Sequence, residues 1–200
     1  WLSTNSKYLF TTDEKAGAYI ASYDVSDVMD IRLQDTYRAS NLSIPHNVYV
    51  VQDSYLVASY YSEGIKIIDA QRPQNLVPSG WFDTSPFIAD GAYHGCWGVY
   101  PFLPSGTIIA SDIEEGLYIM TPTYTRAAWL EGTVSDSVTT LPLSNVLVEI
   151  MNGEVIKKTS LGGQYTAGVA DSGFYAVRFS LINGCYSRIY SGVWLKNGQI

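Results

Sequence analysis

Basic residues are scarce in this chain. Twelve lysines and arginines stand against 19 aspartates and glutamates, a net charge of −7 over 200 residues. The only basic doublet is Lys157-Lys158, so no cationic stripe exists to track a phosphate backbone, and nucleic acid is excluded as a partner. Long apolar runs are also missing, which excludes a membrane-spanning helix of about 20 residues. Cysteine is nearly absent. Cys96 and Cys185 lie far apart with no C-x-x-C spacing, which excludes a metal knuckle and leaves a disulfide open. Each cysteine is expected as a small, mostly buried hydrophobe. The chain opens on Trp1-Leu2 rather than methionine. A fragment or a processed chain is therefore expected, and the missing leader peptide carries no information about compartment.

Helical periodicity is the last absence. What fills the chain instead is tyrosine, valine, isoleucine, threonine, serine and glycine, with 16 tyrosines and only 16% charged residues. That is the composition of strands and turns. An internal repeat organises it. At an offset of 47, Tyr8-Leu9-Phe10 falls on Tyr55-Leu56-Val57, Gly17 on Gly64 and Ile20 on Ile67. At an offset of 52, Gly64 falls on Gly116, Ile65 on Leu117, Ile67 on Ile119 and Ser59 on Ser111. Each unit reads as an apolar strand, a polar turn, and a glycine that opens a second strand. A further strand follows at Ile31–Tyr37 and Leu76–Phe82, and an apolar alternation precedes at His46–Val50, matched by Gly98–Phe102. Four strands per unit and a period near 50 residues predict the blades of a β-propeller, about two and a half of them.

The phrases PHNVYV, YLVASYYSEGIKIIDAQRP, WGVYPFLPSG and ASDIEEGLYIM resemble the LVIVD-repeat β-propellers, and more closely the bacterial choice-of-anchor B family, over residues 1–121. The resemblance implies a propeller fold and a secreted or cell-surface location, but no catalytic residues. It also implies missing propeller blades of the same protein ahead of Trp1, since so few blades cannot close a ring.

Residues 122–127 read as a linker. Beyond them, strands are expected at Leu130–Val134, Val146–Ile150, Val155–Thr159, Gly173–Ser180 and Tyr186–Ile189, with a turn at Asn183-Gly184. The stretch Gly132–Ile150, DSGFYAVRFS and SGVWLKNGQI resemble the carboxypeptidase regulatory-like domain, a transthyretin-like β-sandwich, over residues 128–200. In that family the domain is an accessory without an active site. Relatives continue into a further strand, so the sandwich is expected to be truncated at its C-terminal end. The fold class expected is all-β: a partial propeller followed by a small sandwich.

Chemistry is sparse. Gly95-Cys96-Trp97, with His94 beside it, resembles the neighbourhood of a thiol nucleophile. The repeat instead places Cys96 on Ile44, an apolar position, so packing is the expected role. The candidate ligand-binding residues are His46, Asp90, His94, Trp97 and Asp112. His46 opens an inner strand, where side chains can face a propeller channel, and Trp97 belongs to a run of aromatics that can pack between blades or line the channel rim. The acidic turns lack a D-x-D-x-D-G loop; no cofactor is expected, with calcium the one ion left open. The function expected is a non-enzymatic binding or scaffold protein with a protein or carbohydrate ligand. The alternative is an extracellular hydrolase or lyase acting on glycans or peptides, with its site at the channel mouth.

Overall fold

Short β-branched runs separated by polar, glycine-ended turns give antiparallel hairpins, and every strand pair of the first 125 residues is such a hairpin, while the rest of the chain adds antiparallel pairs between non-consecutive strands. The computed structural model describes residues 1–153, 155–181 and 186–200. Glu154 and residues 182–185 lie outside it, and with them the expected Asn183-Gly184 turn and Cys185. The fold is all-β, and the chain divides into two compact units, Trp1–Thr125 and Arg126–Ile200.

The first unit holds three antiparallel sheets in chain order. The first comprises β1 (Tyr8–Thr12), β2 (Ile20–Asp24) and β3 (Arg32–Tyr37). The second comprises β4 (Val48–Val51), β5 (Tyr55–Ser59), β6 (Ile65–Asp69) and β7 (Val77–Phe82). The third comprises β8 (Cys96–Tyr100), β9 (Ile108–Asp112) and β10 (Gly116–Met120). Each runs up and down in sequence order, as the blades of a partial propeller do. Residues 1–3 add the trace of a fourth strand to the first sheet. The Ser3 amide donates to the Tyr8 carbonyl at 2.8 Å, and Leu2 bridges Leu9.

Period-2 alternation decides how the sheets pack. On β5, Leu56 and Ala58 face the first sheet and join Phe10, Ile20, Val48 and Ile68 in one core. Tyr55 and Val57 face the third sheet and join Ile65, Ile67, Cys96, Val99 and Ile108 in another. The middle sheet is thus buried on both faces, which is why β5 is apolar at nearly every position. Three glycines recur at the turn before β2, β6 and β10. Gly17, Gly64 and Gly116 have φ of +72°, +68° and +85°, a left-handed backbone that other residues adopt only at a cost. The repeat is therefore a repeat of backbone conformation as well as of apolar pattern.

The register of the third sheet differs from the expected one by one residue. Val48 pairs with Ala58, and Val99, not Tyr100, pairs with Ala110. Residues 101–107 make a longer turn than residues 52–54, and the inner strand slides back to Cys96–Tyr100 to keep its apolar face on the core. Trp97, not Gly98, is therefore the counterpart of His46.

Among its described residues the second unit has two antiparallel sheets. One pairs β11 (Ala128–Thr133) with β14 (Gln164–Val169). The other has the order β13-β12-β15-β16, where β12 is Val146–Ile150, β13 Val155–Lys158, β15 Gly173–Leu181 and β16 Ser187–Leu195. Ala128, Ala167 and Val169 of the first pack on Ile150 and Leu195 of the second, a sandwich core. The strand β14 is absent from the sequence expectation, and β16 runs six residues past the expected end at Ile189. Both segments are rich in Gly, Ser, Ala and Tyr, which weakens the apolar alternation that marks a strand.

Candidate functional site

The site is built where β4 and β8 begin. Pro45 holds the residue before it extended, and His46 follows. The His46 amide donates to the Ser59 carbonyl at 2.9 Å, and its carbonyl accepts from the Thr12 hydroxyl at 2.7 Å. The backbone of His46 is thereby fixed between the first and second sheets. Its ring is set by close neighbours and not by a hydrogen bond, for buried Nδ1 has no hydrogen-bond partner among the described residues. Nδ1 lies 3.0 Å from Glu14 Oε1, the edge of Tyr61 stands at 5.7 Å between centroids, and the Trp97 ring stands at 5.9 Å.

Glu14 comes from the turn between β1 and β2. The same Oε1 that faces His46 also accepts the Tyr61 hydroxyl. That hydrogen bond first, and the nearby His46 imidazole as a smaller influence, hold the Glu14 carboxyl below its ordinary range. Burial, and then the hydrogen bond to the Glu14 carboxylate, push the Tyr61 phenol well up. Tyr61 itself is a non-glycine residue at φ 38°. It stays there because its amide donates to the Cys96 carbonyl at 3.1 Å and its carbonyl accepts from the Cys96 amide at 2.9 Å. A strained backbone so held is typical of positions where geometry matters. Tyr93 closes the cluster, its ring 5.2 Å from Tyr61 and its hydroxyl donating to the Glu14 carbonyl oxygen at 3.3 Å.

Trp97 sits in a bulge of β8, between the pairs Cys96–Asp112 and Gly98–Ser111. The extra residue re-aims its side chain away from the core, leaving the indole 55% exposed beside His46. Tyr93 is exposed to the same degree, 53%. The cluster therefore offers two open aromatic faces around a half-buried imidazole and a carboxylate.

The other expected residues have partners of their own. His94 Nδ1 pairs with Glu114 Oε1 at 2.9 Å, while the Gly95 amide donates to Glu114 Oε2 at 2.8 Å. The Glu114 carboxyl is lowered, first by His94. Phe87 covers the His94 ring at 4.7 Å. Asp112 is buried, accepts from the Thr84 hydroxyl at 2.6 Å and caps the Glu114 and Glu115 amides at 3.0 Å. The two amide bonds serve the β9–β10 turn, and the bond from Thr84 ties that turn to the segment after β7. Asp90 is exposed and accepts from the Ala92 amide in its own turn at 2.8 Å. So His46 and Trp97 meet, whereas Asp90, His94 and Asp112 each serve a local contact.

Cys96 is fully buried, and burial pushes its thiol up to about 12. A thiolate nucleophile needs the opposite environment. Among the described residues, no three His, Cys, Asp or Glu side chains gather to hold a metal ion, and no helix is long and apolar enough to cross a membrane. In the second unit an open cleft of about 840 Å³ lies between the sheets, lined by Leu130, Val177, Tyr165, Phe179, Arg188 and Tyr190 among others.

Glu14, Tyr61 and Tyr93 complete the cluster; Tyr61 and Tyr93 belong to the run of aromatics expected to pack between blades or line the channel rim, but no local motif joins them to Glu14. For Glu14 the signal available is its place in a turn equivalent to those holding Glu63 and Glu115. No protein-family model matches the chain, and no curated protein matches it.

Proposed function

We propose that this is a non-enzymatic binding protein, secreted or displayed at a cell surface, whose first unit takes a carbohydrate on the ring faces of Trp97 and Tyr93. The observation that carries the reading is the pairing of the exposed Trp97 indole with the half-buried imidazole of His46, 3.0 Å from Glu14. A sugar presents a face of C–H groups and a rim of hydroxyls. The electron-rich face of an indole suits the first, and a positioned imidazole and carboxylate suit the second. Few convergent polar groups on a mostly apolar, preformed surface is the usual pattern of a small-ligand site. The location rests on the resemblance to the choice-of-anchor B family, and the second unit serves as an accessory module in this reading.

The hydrolase or lyase alternative has less support. Two carboxylates at a set separation would be required for glycoside hydrolysis, and Asp112 is committed to Thr84 and two amides. Screening the chain against a glycan array, with Trp97→Ala and His46→Ala beside it, tests the proposal. Binding lost in both variants supports it. Turnover of a bound glycan that His46→Ala abolishes would favour the enzyme, and capture of a polypeptide alone would make the ligand a protein.

A further inference from the structure

The His46 cluster contains a negative charge that no lysine or arginine answers. Tyr61 donates to Oε1 of Glu14, and the His46 imidazole stands beside that same oxygen without giving it a hydrogen bond. Oε2 accepts from no described residue. Tyr61 first, and His46 less strongly, hold the carboxyl toward its ionised form, and no basic side chain contributes. The Glu14 side chain is 43% exposed, so a ligand can reach the open oxygen.

The surroundings add to this charge rather than cancel it. Strands alternate in direction, so the turns after β1, β5 and β9 share one end of the unit with the loops after β3 and β7. The cations at this end are engaged. Lys15 is tied to Asp13 at 2.8 Å, while Arg38 donates to the Gly17 carbonyl at 3.2 Å and lies over the Tyr19 ring. Asp83, Asp90 and Glu115 bring further carboxylates with no basic partner among the described residues. A rim of one sign raises the local concentration of ligands of the other.

Resting on the reading that this cluster takes a carbohydrate, we infer that the sugar is an amino sugar, its free ammonium group on Glu14 Oε2 and its ring stacked on Trp97. The face of an aromatic ring attracts a cation as well as C–H groups, so Trp97 and Tyr93 favour the same ligand that Glu14 does. His46 spans the two parts of the site, with the Trp97 ring 5.9 Å away on centroids and Glu14 Oε1 3.0 Å from its Nδ1. One stacked sugar ring with its amine covers that distance. The alternatives fit less well. An acetylated amine gives Glu14 a neutral hydrogen bond, roughly half as strong as one from an ammonium. A sugar acid adds a second negative charge and is repelled. Trp97 thus supplies the platform, and Glu14 sets which sugar the platform keeps.

Calorimetric titration of the purified chain with matched sugars tests this, using oligomers of glucosamine and of galactosamine, each with the amine free or acetylated. At about pH 6 the free amines are protonated and Glu14 is ionised. In at least one pair the free amine is expected to bind about tenfold more tightly, and added salt is expected to shrink that preference. Glu14→Gln keeps an amide oxygen to accept from Tyr61 and removes the charge, so its preference should fall to about twofold or less. Circular dichroism checks that the variant folds, and the salt series on the parent reads the same charge without any substitution. Three results overturn the inference and leave the carbohydrate reading standing: equal or tighter binding of the acetylated sugars, a preference that Glu14→Gln retains, or binding of other glycans alone through Trp97. Failure of every glycan to bind overturns the carbohydrate reading, and this inference with it.

Discussion

Tyr61 reaches across 47 positions of sequence to donate its phenolic hydrogen to Glu14, the carboxylate that stands 3.0 Å from His46. That contact ties the turn of the first sheet to the turn of the second and sets the imidazole that Trp97 flanks. It also makes the site sensitive to acid. Glu14 has its folded pKa below the ordinary 4.5, so its contribution to stability is complete above about pH 4.5. It is lost as pH falls through the lowered value.

Tyr61→Phe removes the donor and keeps the ring. Its expected cost is about 1 kcal/mol at neutral pH, the scale of one hydrogen bond to a partly exposed carboxylate. The Glu14 pKa should rise toward its ordinary value. Urea unfolding of both proteins across pH 3 to 7 checks this. The gap between them is expected to be widest above about pH 4.5 and to narrow on acidification.

The repeated turn glycines should not tolerate alanine equally. A Cβ on Gly64 would lie 2.1 Å from the Phe82 carbonyl oxygen, whereas one on Gly116 meets nothing within 4 Å. Gly116→Ala is expected to cost only the left-handed backbone, about 1–2 kcal/mol. Gly64→Ala adds a backbone collision, so its loss should be clearly larger. Thermal melts of the two variants measure the difference.

Asp112→Ala should destabilise the chain without touching the His46 cluster. It strands the buried Thr84 hydroxyl and two turn amides, an expected loss of about 2–3 kcal/mol. Denaturant unfolding gives the loss. Ligand binding by the folded variant should remain within about twofold of the parent. A far larger loss of affinity would give Asp112 a direct role at the ligand.

Cys96 should behave as core. Site-resolved mass spectrometry after iodoacetamide at pH 8 is expected to find it unmodified in native protein and modified once denaturant unfolds the first unit. Its full burial and raised thiol pKa oppose alkylation both sterically and chemically.

Much of the fold was legible because two signals agreed. In β5 and β6 the apolar alternation and the repeat offsets mark the same strands, and the structure has them at Tyr55–Ser59 and Ile65–Asp69. Where only one signal existed, the reading slipped. The inner strand of the third sheet was aligned by offset alone, and a longer turn moved it by one residue. Strand β14, with Gly168 and Ala167 at its centre, carries too little apolar contrast to stand out. The site was less legible than the fold. His46 could be found because its place at the head of an inner strand is local information. Tyr61 stood out only as one of a run of aromatics and Glu14 only as an acidic turn residue; their contact could not be read, since it joins residues on different sheets and no short spacing encodes it. Asp112 was ambiguous for a physical reason: an aspartate before Glu-Glu-Gly suits a turn cap as well as a ligand group, and only its buried contact with Thr84 distinguishes them.

The central claim is that Trp97 and His46 form one ligand surface. Titrating the chain with the glycan that the array selects, while following tryptophan fluorescence, tests it most directly. The account predicts a saturable change in the parent, its disappearance in Trp97→Phe, and at least a tenfold weaker affinity in His46→Ala. An unchanged affinity in both variants would contradict it.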